Sequence, residues 1–185
     1  MSKVMEKFIY RRLLSVINQI GVIPEHQFGF RERHSTVEQV SRVASTICNA
    51  FENKKFRPAL FLDISQTFDR VWIPGLLSKI LSSCVPKQQV LLVESYLQLR
   101  NFYVAYGEAK SATLPIDTGV PQGSVLGPLL HLLYTADLPV QPGSTVATYA
   151  DDTAVLTPHI SYETATELLQ NSAREVEHWA HQWKI

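Results

Sequence analysis

The chain has 185 residues, 45% of them apolar and 18% charged, with equal numbers of acidic and basic side chains. That composition describes a folded globular chain with a sizeable core and excludes an intrinsically disordered one. No run of 18 apolar residues suggests a membrane span, and Lys3, Glu6, Lys7, Arg11 and Arg12 interrupt any signal-peptide pattern. The charge is uneven along the chain: residues 1–57 carry ten Lys/Arg against five Asp/Glu, and residues 58–185 carry seven against twelve. A basic first third before an acidic remainder is what a phosphate-handling part beside a carboxylate-bearing part would have, and equally what chance would leave on a solvated surface. Cys48 and Cys84 make no CxxC pair, and the expectation is two small core residues in a reducing, intracellular compartment.

In chain order, residues 3–20 read as a helix whose apolar positions are Val4, Phe8, Leu13, Ile17 and Ile20. Gly21 to His34 reads as irregular structure. Ser35-Thr36-Val37-Glu38 has the form of a capping box, opening a helix with Val40, Ala44, Ile47 and Phe51 as its apolar stripe. Ala59 to Leu62 is a continuous apolar run that suits a buried strand, and it ends in Asp63. Pro74 and Pro86 stand where helices begin. Asn101 to Tyr106 reads as a strand turning at Gly107 toward a partner near residues 112–116.

Gly119 to Pro128 holds three glycines and two prolines in ten residues, a tight loop before an apolar helix from about Leu129 to Ala136. Thr145 to Leu156 reads as a hairpin with Asp151 and Asp152 at its bend, and Ser161 to Trp183 as a long helix with Leu169, Ala173, Val176, Ala180 and Trp183 on its apolar face. Strands interleave with helices without strict alternation, so the expected class is α+β with a mostly antiparallel sheet packed on helices.

Asp63 and the Asp151–Asp152 pair carry the chemistry. Each follows or interrupts an apolar strand, and a carboxylate there needs water, a partner or a cation. Three carboxylates on neighbouring strands repel one another, and hard divalent ions bound with phosphate oxygens relieve that repulsion. A lone Asp-Asp is more often a turn, and an Asp after an apolar run is often a cap. His178 and His181 stand three apart on the last helix but lack a third clustered ligand.

Four segments together resemble the reverse transcriptases of non-LTR retrotransposons, especially the jockey-like group. Tyr149-Ala150-Asp151-Asp152 resembles their YxDD box, and Phe61 to Trp72 resembles their first catalytic motif. Gly119 to Pro128 resembles GxPQGSxLGP, and Gln27 to Arg31 resembles the fingers motif before the palm. The four occur in the family's order and span nearly the whole chain. The resemblance implies a polymerase palm with partial helical fingers, residues 1–57 being fingers and 58–185 palm. It implies an RNA-directed DNA polymerase of a mobile element, acting in the nucleus on an RNA template, a DNA primer and dNTPs.

The resemblance also implies site residues. Asp63, Asp151 and Asp152 match the catalytic and metal-binding aspartates, for two Mg²⁺ ions that Mn²⁺ can replace. Phe68 matches the bulky residue that excludes a ribose 2′-hydroxyl. Gln122 and Gly123 match nucleotide-binding positions, and Arg31 and Arg33 are candidates for the triphosphate or template backbone, or solvated loop arginines. Thr67 stands where alanine is usual, read as a small change, and His131 where an aromatic or aliphatic residue is more common. The ends are expected to fall inside longer family elements, so the alternative is a non-catalytic relic or a co-opted nucleic-acid-binding module. A carboxylate-metal nuclease is a third reading, in which the Gly/Pro loop has no evident task.

Overall fold

The structure is a computed structural model, and it describes residues 2–185. Among the described residues six helices and seven short strands follow one another as α1 (Ser2–Ile20), α2 (Thr36–Glu52), β1 (Ala59–Leu62), α3 (Ile73–Ser82), α4 (Lys87–Leu97), β2 (Asn101–Phe102), β3 (Ala105–Tyr106), β4 (Ala109–Lys110), β5 (Leu114–Pro115), α5 (Gly127–Thr135), β6 (Thr145–Tyr149), β7 (Asp152–Leu156) and α6 (Tyr162–Trp183). The class is α+β, as the sequence pattern implies. Two compact units interleave along the chain. One comprises residues 1–22 and 68–134, the other 23–67 and 135–185.

The second unit contains the main sheet, three strands in the order β1-β7-β6, antiparallel throughout. In β7 the residues alternate between faces. Asp152, Ala154 and Leu156 share one face, and Val43 and Ile47 of α2 pack against Ala147, Ala154 and Leu156 there. The N-terminus of α2 is built as its sequence suggests. The Ser35 hydroxyl accepts from the Glu38 N–H, while the Glu38 carboxylate accepts from the Ser35 N–H at 2.8 Å. Two backbone donors that a helix start leaves unpaired are thereby satisfied.

The buried face of α2 departs from the apolar stripe. Val40 and Phe51 are exposed, and the inward residues include Gln39 and Ala50. Gln39 is drawn in because its amide Nε2 donates to the carbonyls of His26 (2.8 Å) and Thr148 (2.9 Å). A polar group so bonded can be buried without the cost of an orphaned donor, which a purely hydrophobic reading of the helix does not foresee. In α6 the buried positions are likewise Ala165, Ser172 and Trp179, with the Trp179 indole N–H donating to Asp137 Oδ1 at 3.0 Å.

The first unit packs α1, α3, α4 and α5 with two small ladders. Its α1 buries Glu6, Leu13 and Ile17, while Val4, Phe8 and Ile20 lie exposed. Glu6 faces inward because its carboxylate accepts from the Val125 N–H at 2.7 Å. The single strand expected over residues 101–106 divides: β2 pairs with β5, as anticipated, whereas β3 folds back on β4 across a turn at Gly107. Leu76, Ile80, Val93, Leu97, Leu126, Leu130 and Leu132 form its core, each burial worth roughly 1.5–3 kcal/mol. Cys48 and Cys84 are exposed free thiols, not core residues. Among the described residues no helix is long and apolar enough to cross a membrane.

The capping box supplies a direct test of α2. Ser35→Ala should lower stability by about 1 kcal/mol. In urea denaturation this appears as a lower midpoint with an unchanged slope.

Candidate active site

The register of the main sheet decides where the aspartates lie. The last paired position of β1 with β7 is Leu62 with Thr153. One step beyond it stand Asp63 on one strand and Asp152 on the other. Asp152 is itself paired with Tyr149 of β6. Side-chain alternation puts Asp63 on the face of Phe61, and Asp152 on the face of Ala154, which is Phe61's register partner. Asp151 occupies the two-residue turn Ala150-Asp151 that joins β6 to β7. The hairpin with carboxylates at its bend is thus present, and Asp63 meets it at the same end of the sheet. Asp63 and Asp152 are exposed, and Asp151 is half-buried.

The turn is unusual in its chemistry. Its first residue, Ala150, has φ of 59°, a conformation that two-residue hairpins usually give to glycine. A neighbouring segment contains it. The Gln27 side chain accepts from the Ala150 N–H at 3.0 Å and donates from Nε2 to the Ala150 carbonyl at 3.1 Å. Gly29 lies so close that a Cβ there would stand 2.0 Å from the Ala150 nitrogen. The same segment adds a parallel bridge to β6 between Gln27 and Thr148. His26, in that segment, has its imidazole pKa lowered by burial first and by the nearby Arg42 second.

Thr67 makes the second side-chain approach to the pair. Its hydroxyl lies 3.1 Å from Asp151 Oδ2 and 2.5 Å from the Ile64 carbonyl. A hydroxyl has one proton to donate, so these two acceptors compete for it. The replacement of the family's usual alanine therefore places a donor against a candidate carboxylate, a larger consequence than the side-chain volume suggests. Neither Gln27 nor Thr67 was singled out as a site residue by sequence reasoning. For Gln27 the available signal was its place in the Gln-Phe-Gly-Phe-Arg segment.

An open groove of about 560 Å³ reaches Asp152, lined also by Val40, Ala44, Phe61 and Tyr149 among others. Val40, exposed on α2, belongs to its wall, whereas Phe51 lies outside it. Arg31 donates from Nη1 to the carbonyls of Pro24 (3.1 Å) and Gln27 (2.9 Å), and so braces the loop that holds Gln27. Arg33 is exposed, with φ of 62°.

Phe68, Gln122 and Gly123 belong to the other compact unit. There the Gly/Pro-rich loop is clipped to the segment after Thr67: the Val120 N–H donates to the Phe68 carbonyl at 2.7 Å and the Gly119 N–H to the Val71 carbonyl at 2.8 Å. The Gln122 amide donates to Asp69 Oδ2 at 3.0 Å. Phe68 is half-buried with its ring centroid 5.6 Å from that of His131. His131 is buried and serves as an aromatic packing partner. Gly123 has φ of 71° and open space where a Cβ would project.

Reverse transcriptase chemistry depends on divalent metal, and the carboxylates offer the hard oxygens such ions favour. Among the described residues no group of three or more His, Cys, Asp and Glu side chains is gathered closely enough to hold an ion. The donors fit a divalent ion as a partial set from two adjacent strand ends, with further oxygens to come from substrate phosphates.

The antiparallel sheet packed on helices has the architecture of an α+β polymerase palm, and the aspartates lie at one end of that sheet. The telomerase of Candida Tropicalis, in its apo form truncated from the C-terminal domain, shares this fold with a TM-score of 0.59 and 16% identity over 90% of this chain and 35% of that one. The family model for reverse transcriptase (RNA-dependent DNA polymerase) matches residues 1–185, and the chain belongs to that family. It is 44% identical to the RNA-directed DNA polymerase from mobile element jockey and 43% to the probable RNA-directed DNA polymerase from transposon X-element, both of Drosophila melanogaster. Each alignment covers 100% of this chain and 21% of the relative, so the chain spans about a fifth of their length. A third relative, from transposon BS of the same fly, is 40% identical over 99% of the chain.

The loop clipped to the segment after Thr67 gives a second test. Gly119 has φ of 77°, and an added Cβ would lie 2.8 Å from the Asp69 Cα and carbonyl oxygen. Gly119→Ala should cost roughly 1–3 kcal/mol from backbone strain, with a further loss from the clash. A thermal scan would read this as a lower Tm, and an unchanged Tm would refute the close approach.

Proposed function

We propose that this chain is the catalytic palm and partial fingers of an RNA-directed DNA polymerase of a mobile element, with fingers over residues 1–57 and palm over 58–185. The observation that carries the reading is the register that brings Asp63 and Asp152 to one end of the antiparallel sheet, with Asp151 in the adjoining turn. The substrates are an RNA template with a DNA primer and a dNTP. The primer 3′-hydroxyl attacks the α-phosphate, forming the new phosphodiester bond as the bond to pyrophosphate breaks.

Asp63, Asp151 and Asp152 are the catalytic residues and metal ligands in this reading, for two Mg²⁺ ions that Mn²⁺ can replace. Bound ions supply Lewis-acid polarisation and charge neutralisation at the reacting phosphate. The protein's own part is placement. Its carboxylates sit on strand ends and a short hairpin, elements whose positions are set by backbone hydrogen bonds. Such rigid placement is what phosphoryl transfer draws on, since positioning and electrostatics supply most of the barrier reduction.

Phe68 is the proposed gate against a ribose 2′-hydroxyl, its ring steadied by His131. Gln122 and Gly123 are proposed to meet the incoming nucleotide, Gly123 because its open, left-handed backbone admits close approach. Arg31 and Arg33 are proposed phosphate contacts, Arg31 through the guanidinium edge that its loop carbonyls leave free.

Primer extension on an RNA template tests the assignment. Divalent-dependent extension is expected, and Asp151→Asn should reduce its rate by at least roughly 10²–10³-fold. Extension by that variant at the parent rate would remove Asp151 from the site.

A further inference from the structure

We infer that Gln27 is a positioning residue, acting through the backbone of Ala150 to hold the turn that carries Asp151 and Asp152. The inference rests on the metal-site reading above, and it goes beyond it by assigning a role to a side chain that touches neither substrate nor ion.

Gln27 is only 5% exposed, so its amide must find partners within the protein. It finds three. Oε1 accepts from Gly29 N–H at 2.8 Å and from Ala150 N–H at 3.0 Å, and Nε2 donates to the Ala150 carbonyl at 3.1 Å. The amide thus binds both backbone groups of one residue, much as a neighbouring strand would. That residue is the one the turn most strains: a non-glycine at φ of 59° in a place usually taken by glycine.

Two further features point the same way. Gly29, held by the same Oε1, leaves no room for a side chain against Ala150. The backbone on each side is pinned as well, with Phe28 N–H donating to the Thr148 carbonyl at 2.9 Å and Thr148 N–H to the His26 carbonyl at 3.0 Å. A turn without these bonds could relax Ala150 toward negative φ, and the peptide that follows would rotate. Asp151 is the next residue, so its carboxylate would move first. A side-chain amide carries the acceptor and the donor that the two Ala150 groups require on two adjacent atoms, so it can meet both at once. A carboxylate lacks the donor, and an apolar side chain lacks both.

The test uses nuclear magnetic resonance on the 185-residue chain with two readouts. Gln27→Leu removes all three bonds, and Gln27→Glu keeps the acceptor and loses the donor. If the inference holds, hydrogen exchange at the Ala150 amide quickens by roughly tenfold in Gln27→Leu and by less in Gln27→Glu. Paramagnetic broadening of the residue 150–153 amides by Mn²⁺ should then need several-fold more Mn²⁺ in Gln27→Leu than in the parent, with Gln27→Glu between them. Should Gln27→Leu fail to fold, Gln27→Glu alone decides by the same two measures.

Parent-like exchange and parent-like Mn²⁺ response in the folded variants would overturn the inference. So would faster exchange with an unchanged Mn²⁺ response, since Gln27 would then be structural only. A parent chain whose residues 150–153 do not respond to Mn²⁺ would sink the metal reading itself. In that case the inference falls with that reading, and quickened exchange at Ala150 in the variants would mark Gln27 as structural only.

Discussion

Antiparallel pairing of β1 with β7 is the constraint on which the site depends. Because a strand alternates its side chains with a period of two, a slip of one residue would move Asp63 to the opposite face and separate it from Asp152. The register is held by burial, since Ala154 and Leu156 must face α2 and Val155 must lie on the other side. Hydrophobic packing several residues away thus fixes the relation between two charged groups that no favourable contact would bring together.

The outer edge of that sheet shows how backbone demands are met without a fourth strand. β6 would otherwise present unpaired groups. Residues 26–28 cover part of this edge through a single parallel bridge, and two glutamine side chains supply bonds that a strand would have made. Gln39 reaches the Thr148 carbonyl from the helix, and Gln27 reaches Ala150 from the loop. Side-chain amides can do this because each carries a donor and an acceptor in fixed relation. The arrangement leaves the tip of the hairpin short, and its aspartates close to solvent.

Much of this was legible in the sequence because local signals agree with one another there. The capping box before α2 and the hairpin around Asp151 each state a local preference that the tertiary fold keeps, whereas the apolar run ending in Asp63 forms a strand at the sheet edge with Ala59 and Phe61 exposed, and the buried central strand is β7. The family likeness rested on four segments in order, which is far more specific than any one of them. The faces of α1, α2 and α6 were less legible. In each, a polar residue, Glu6, Gln39 or Ser172, lies buried where the apolar pattern does not call for one. What makes Glu6 and Gln39 acceptable inside is a backbone group distant in sequence, the Val125 N–H or the Thr148 carbonyl. Such partners come from tertiary structure, and periodicity does not encode them.

Thr67 illustrates the same limit at the site. By volume, threonine for alanine is a minor change, and the motif around it is otherwise intact. Its significance comes from the hairpin 84 residues later, whose Asp151 carboxylate lies within reach of the new hydroxyl. The hydroxyl also reaches the Ile64 carbonyl, so its one proton has two acceptors. An alanine there would lose this bond, so Thr67 gives a side-chain hold to a turn already held through its backbone by Gln27.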